Sequence, residues 1–407
     1  MIGRLPLLLV FVLAWAGSAL AVPAFELGRT GLEPRDLAVV INEDDPISVK
    51  SGEYYAQRRG IPSENLVRVR FPYKDEVLSR GDFQRLKSEV DRLTPSHVQA
   101  YALAWTTPYR VDCMSITAAF TFGFDPAYCS RSKCGTTKAS PYFNSPSRAP
   151  HQDLAMRPSM MLAGQTYQDV KALIDRGISA DFTYPRGTGY LVNTKDKNRS
   201  VRSVYFDEIV RVLGDAIKLE RVDADAIRSK RDVMFYFTGA VSVPGLSSLQ
   251  FLPGAIADHL TSTGGALTSS KQMSVLRWLE AGATGSYGTA VEPCNHLAKF
   301  PHPGVVMARY AEGATLLEAY WKSVAWPGEG VFVGEPLARP FAPRVVQSTE
   351  GHADLAVFSP EWKNLPLQGA NSAIGPYRPV ELYPIHPGFN DVRLKFPQSG
   401  AFYRMIP

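Results

Sequence analysis

Short apolar runs alternate with stretches of helical period over most of the chain. Leu37–Asn42, Leu66–Arg70, Val98–Trp105, Thr188–Val192 and Val233–Phe237 are nearly continuous in apolar residues. Strands covered on both faces have this texture, because neither side of the pleat meets water. Between them lie segments with apolar residues three and four apart. Ile47–Arg59 places Val49, Tyr54 and Tyr55 on one side, and Gly60 follows as a cap. Arg80–Leu93 reads as a second helix, polar outside. Val201–Ile217 reads as a third, with Val204, Ile209, Val212 and Leu213 inward. Gln272–Ala281 and Thr315–Val324 complete the set, the last carrying Leu316, Leu317 and Tyr320. Strand, helix, glycine and strand over residues 37–70 form a βαβ unit, which is almost always right-handed. The pattern predicts an α/β domain over residues 22–341, with a mostly parallel sheet and helices on both faces.

Three stretches depart from that rhythm. Residues 22–35 read as a polar lead-in. Residues 111–185, rich in Gly, Pro, Ser and Tyr, read as an irregular insertion folded over the sheet, with a short helix over Ser115–Phe122. Residues 342–407 carry many prolines and short alternating runs, Val380–Tyr383 and Asp391–Phe396 among them. They read as a small β-rich C-terminal extension.

The first 21 residues change the compartment. Arg4, the apolar stretch Leu5–Trp15 and the small residues Ser18, Ala19 and Ala21 make a signal peptide cleaved after Ala21. The apolar stretch is shorter than the roughly 20 residues of a spanning helix. No other segment is apolar enough to span, so the expected product is exported, periplasmic or extracellular, with no membrane span after cleavage. The net charge of +5 is spread along the chain without a basic stripe, which argues against nucleic acid as a partner. Four cysteines, Cys113, Cys129, Cys134 and Cys294, are expected to pair in part in an oxidising compartment. The short polar loop between Cys129 and Cys134 favours that pair, leaving Cys113 and Cys294 to pair with each other or stay free.

Residues with chemical potential gather between Asp232 and Phe341. Asp258 and His259 end an apolar run, and Thr261, Ser262, Gly264 and Gly265 follow. His259 reads either as a hydrogen-bonded strand-end residue or as a general base, since its ordinary pKa lies near neutrality. The glycines would let backbone amides approach a ligand. Cys294, beside Glu292 and His296, is a candidate nucleophile if a base can form its thiolate, and otherwise half of a disulfide. Cys294, His296 and His302 have the atom types for zinc, but their spacing matches no common structural site. No metal and no cofactor is expected. Gly282–Gly288 suits tight strand-start packing better than phosphate binding, since it follows a helix and lacks the P-loop lysine. Glu335 and Arg339 lie in a proline-bounded loop that could aim them at the site, or form a surface ion pair.

With these residues in view, the chain resembles an uncharacterised family of exported bacterial proteins found in genomes that carry exosortase, a membrane enzyme that processes surface-sorted proteins. Gly254–Gly265, Gly282–Cys294, Glu318–Ser323 and Gly334–Pro340 carry that resemblance, which covers roughly residues 36–341. More distantly, the chain is similar to gingipain-type, caspase-like cysteine peptidases in strand order and in Gly282–Gly288. That resemblance implies a caspase-like sheet. In those peptidases a His-Gly follows one strand and a Cys ends the next. Here the two places read Thr238-Gly239-Ala240 and Ile256 to Thr261, so the dyad has no counterpart. The resemblance therefore implies either a non-catalytic or degenerate relative that binds an envelope or surface protein or peptide, or a divergent hydrolase using Asp258, His259 and Cys294.

Overall fold

The apolar runs lie side by side. In the computed structural model, which describes residues 24–130, 134–349, 351–397 and 401–407, ten strands form the central sheet. Their order across it is Lys218–Asp223, Thr188–Asn193, Val233–Gly239, Phe251–Leu260, Gly285–Thr289, Gly330–Gly334, Ser159–Met161, Ala100–Leu103, Leu37–Asn42 and Leu66–Val69. Every neighbouring pair is parallel except one: Gly285–Thr289 runs antiparallel to Gly330–Gly334. That single reversal sits between two runs of mutually parallel strands. The loops that follow Leu37–Asn42, Ala100–Leu103, Ser159–Met161 and Phe251–Leu260 meet at one edge, where Asp45, Thr106, Gly164 and Thr268 line a common pocket. The expected signal peptide, residues 1–21, lies outside the described residues.

Helices cover both faces. Pro46–Arg59, Tyr167–Ala180 and Leu276–Ala281 pack on one face. Ile116–Phe122, Phe206–Leu213, Pro303–Ala311 and Leu316–Trp321 pack on the other, and Arg80–Leu93 joins them through Phe83 against Phe120. The strands Leu37–Asn42, Val233–Gly239 and Gly330–Gly334 are buried at every position, which is why their sequences lack alternation. Pro46–Arg59 starts on the Asp45 side chain, which accepts from the Ile47 amide. It stops at Gly60, whose φ of 64° is left-handed and costs a glycine little.

Several sequence expectations need correction. The stretch 111–185 is not one insertion. It contains the central strand Ser159–Met161 and the helix Tyr167–Ala180. Val204 and Val212 are exposed, not inward, because Ser200–Tyr205 is a 3-10 turn and the α-helix begins only at Phe206. The change of pitch rotates the apolar face. The expected helix Gln272–Ala281 shortens to Leu276–Ala281.

The C-terminal residues form two further sheets. Arg344–Ser348, His352–Ser359 and Gly388–Lys395 make a three-stranded antiparallel sheet. Lys363–Ala370, Arg378–Ile385 and Phe402–Met405 make most of the other, and its last strand is Phe25–Leu27, parallel to Phe402–Met405. Residues 22–35 thus supply a strand to the C-terminal unit. These sheets share a small core of their own, including Leu355, Val357, Leu367, Leu394 and Met405. Among the described residues, no helix is long and apolar enough to cross a membrane.

Candidate functional site at the rim of the sheet

Asp258 and His259 end the strand Phe251–Leu260. Successive side chains on a strand leave by opposite faces, and these two do so. His259 turns toward the helix Leu276–Ala281. Its Nδ1 accepts a hydrogen bond from the Trp278 indole Nε1–H at 2.9 Å, and its Nε2–H donates to the Met273 carbonyl at 3.1 Å. Trp278 can only donate and a carbonyl can only accept, so the pair fixes the neutral tautomer with the proton on Nε2. Burial, reinforced by the positive charge of Arg202, lowers the imidazole pKa to about 3.

Asp258 turns to the other face and meets Arg202 at 2.6 Å, with both side chains almost wholly buried. Arg202 also donates to the carbonyls of Thr238, at 2.7 Å, and Pro301, at 3.3 Å. It thereby ties the 3-10 turn Ser200–Tyr205 to the end of the neighbouring strand. Burial pushes the Asp258 carboxyl up to about 6, against the opposing pull of Arg202. The two adjacent residues therefore do not form an acid–base pair. Each serves the packing of its own face.

The loop after the strand folds back over the sheet edge. Thr261 Oγ1 donates to Gln272 Oε1 at 2.5 Å, and the Thr263 amide donates to the same oxygen at 3.1 Å. Arg199 Nε reaches Thr261 Oγ1 at 3.3 Å and pairs with Asp196. The carbonyls of Thr261 and Ser262 accept from the Thr289 hydroxyl. Gly265 shows what its missing side chain is for. A Cβ there would lie 2.3 Å from the Gly288 carbonyl oxygen, and its amide donates to the Thr289 carbonyl at 2.9 Å. The close approach is of loop to strand, not of backbone to ligand. Gly264 is less confined, its nearest Cβ neighbour lying at 3.3 Å.

The cysteines pair differently from the sequence expectation. Cys113 joins Cys129, and Cys134 joins Cys294. Sequence proximity favoured Cys129 with Cys134. The tertiary fold instead places Cys134 beside the segment after Gly285–Thr289. Cys294 is thus a structural residue in the oxidised protein, with no thiol to ionise. Glu292 Oε1 accepts from the Cys294 amide at 2.8 Å, and His296 Nε2 lies 2.7 Å from the Cys134 carbonyl, braced against Trp326. His302 caps the helix Pro303–Ala311, its Nδ1 accepting from the Val305 amide at 3.3 Å. Among the described residues, no group of three or more His, Cys, Asp and Glu is arranged to hold a metal ion.

Glu335 and Arg339 belong to the other edge. Gly334 lies opposite Gly285, the start of its strand, so the antiparallel turn carries both residues away from Thr261. Glu335, fully buried, takes Arg59 in a two-pronged contact, with Nε to Oε1 at 2.9 Å. Asp181 completes the cluster by pairing with Arg59. The Arg339 amide donates to Asp181 and its guanidinium stacks on Phe182.

What remains at the rim is a cleft of about 410 Å³. Ser262, Thr263, Ser270 and Gln272 form one wall, Tyr109 and Arg110 another, and Glu292 the end. Sequence reading placed Ser262 and Glu292 here but missed Tyr109, Arg110, Glu76 and Lys271. The first three come from the opposite half of the sheet and carry no local signal. Tyr109 OH and Ser269 Oγ lie 2.9 Å apart. Hydrogen bonds from Ser269 and then Tyr109 hold the Glu76 carboxyl below its ordinary range. Such a carboxylate is an acceptor and a poor proton carrier at neutral pH. Arg110 and Lys271 form no salt bridge among the described residues.

No family model matches the chain, and no curated protein matches it. Similar solved structures include the Arg specific cysteine proteinase gingipain R, at 9% identity over 92% of this chain and 98% of that one, with a TM-score of 0.39. A chain described only as a protease is 8% identical over 93% and 98%, with a TM-score of 0.39. The complex of Porphyromonas gingivalis RgpB pro- and mature domains is similar at 9% identity over 91% and 96%, with a TM-score of 0.37.

Proposed function

We propose that the protein is an exported, non-catalytic peptide-binding protein, and that the rim cleft receives a segment of an envelope or surface protein. One observation carries the reading: the side chains that could perform hydrolysis are all engaged in holding the fold. His259 spends both ring nitrogens on Trp278 and Met273, Asp258 faces away toward Arg202, and Cys294 is oxidised onto Cys134. The cleft offers recognition chemistry instead. Hydroxyls and the Gln272 amide suit a peptide backbone, while Arg110, Lys271, Glu76 and Glu292 give the lining charges of both signs. Such mixed charge suits a segment carrying both acidic and basic residues. The two disulfides suit export, because oxidising compartments preserve them.

Titration with short peptides bearing one acidic and one basic residue tests this. Saturable binding is expected, weakened about two- to fivefold by Arg110→Glu or Glu292→Lys, the usual size for partly exposed ion pairs. The same peptides should be recovered uncut after prolonged incubation. Turnover that disappears in His259→Gln or Cys294→Ser would instead establish the divergent hydrolase.

A further inference from the structure

A second cavity, of about 410 Å³, lies at the edge where the strands Lys218–Asp223, Thr188–Asn193 and Val233–Gly239 begin, far along those strands from the rim cleft. It is bounded by the sheet on one side and the C-terminal β unit on the other. Ile217 and Met234 come from the first, Phe358 and Phe389 from the second, and Phe341 from the segment joining them. Tyr184 ties the two sides together, its hydroxyl donating toward the carbonyls of Ala342, at 2.8 Å, and Ala356, at 3.0 Å, while its ring leans on Phe389 at 4.9 Å. A volume of this size falls within the range of small-molecule sites.

The mouth is cationic. Arg186 lines it, is exposed, and forms no hydrogen bond or ion pair among the described residues. Lys218 lines it too, holding Glu220 and Asp232 only loosely, each at 3.7 Å. An apolar, largely aromatic chamber with an uncommitted guanidinium at its opening matches one class of ligand: an apolar tail ending in a carboxylate. The tail would be buried against the phenylalanines. The carboxylate would accept from Arg186 in the two-pronged geometry guanidinium favours. We propose that this junction is a binding site for small amphipathic carboxylates, medium-chain alkyl carboxylates in particular, and that occupancy braces the C-terminal unit against the sheet.

Isothermal titration of the full mature protein with decanoate, below its micelle concentration, tests the proposal. Decanol and decyltrimethylammonium serve as the neutral and cationic controls. Decanoate should bind one to one, about tenfold tighter than the cation, and each methylene removed should weaken it roughly three- to fourfold. Arg186→Glu lies on the surface and leaves the packing intact, which an unchanged melting curve without ligand verifies. It should weaken decanoate about tenfold and improve the cation, while Arg186→Lys retains most of the affinity. Absence of saturable decanoate binding, equal affinity for the cation, or indifference to Arg186→Glu would each overturn it.

Discussion

His259 makes the most exacting prediction about acid. In the folded chain its pKa is lowered to about 3, chiefly by burial. In the unfolded chain it is ordinary, about 6.5. A group whose folded pKa is depressed contributes its full stability above the unfolded value and loses it as pH falls toward the folded one. Between pH 7 and pH 4.5 the loss amounts to about 2.5 kcal/mol, from roughly 1.4 kcal/mol per pH unit below the unfolded pKa. Asp258 acts with the opposite sign. Its carboxyl is raised to about 6, so protonation on acidification returns about 2 kcal/mol over the same interval. The wild-type profile alone therefore mixes the two.

Comparison with His259→Gln separates them, since the amide does not titrate and Asp258 lies on the other face. At pH 7 the variant should be less stable by about 1–3 kcal/mol, the cost of leaving Trp278 or the Met273 carbonyl without its partner. Urea unfolding with disulfides intact, followed by tryptophan fluorescence, measures the difference between the two proteins at each pH. That difference should shrink by about 2.5 kcal/mol between pH 7 and pH 4.5, approaching zero or changing sign. A difference constant to within about 0.5 kcal/mol would mean that His259 protonates freely when folded, and the structural role argued for it would fail.

Other expectations follow from the same geometry. Gly265→Ala should cost more than about 2 kcal/mol in denaturant midpoint analysis, because its methyl meets a carbonyl oxygen of the neighbouring strand, while Gly264→Ala stays within about 1 kcal/mol. Cys294→Ser removes a cross-link between residues 160 apart and should destabilise by up to about 5 kcal/mol on the chain-entropy account, read as a fall in melting temperature, with peptide binding retained wherever the protein stays folded. Glu335→Gln removes one of the two carboxylates that hold the buried Arg59, leaving Asp181, and should cost about 1–3 kcal/mol. Because it lies at the opposite edge, it should leave affinity at the rim cleft unchanged in titration.

The sequence made the covered strands legible and hid their directions. Leu37–Asn42 and Val233–Gly239 are apolar throughout because both faces are buried, and that texture is the same whether a neighbour runs parallel or antiparallel. The reversal at Gly330–Gly334 therefore left no trace, and with it went the true placement of Glu335 and Arg339. Ser159–Met161 escaped because three residues are too few to establish a period. The alternating runs after Phe341 were readable where one side of the strand meets solvent, as in Gly388–Lys395, whose Asp391, Arg393 and Lys395 are exposed while Leu394 is buried. Phe25–Leu27 was not, since its pairing partner lies near the other end of the chain. Asp258 and His259 were found by residue type. Their adjacency suggested cooperation, whereas the strand period sends them apart. The cleft itself is assembled from Glu76, Tyr109 and Arg110 on one side and residues 262–292 on the other, and no local pattern joins them.

The state of Cys294 decides most directly between recognition and hydrolysis. Alkylation of the purified protein without reductant, followed by peptide mapping, should recover the Cys134–Cys294 and Cys113–Cys129 peptides linked and unlabelled. Label on a free Cys294, at a rate that falls in His259→Gln, would contradict the reading and restore a nucleophile to the rim.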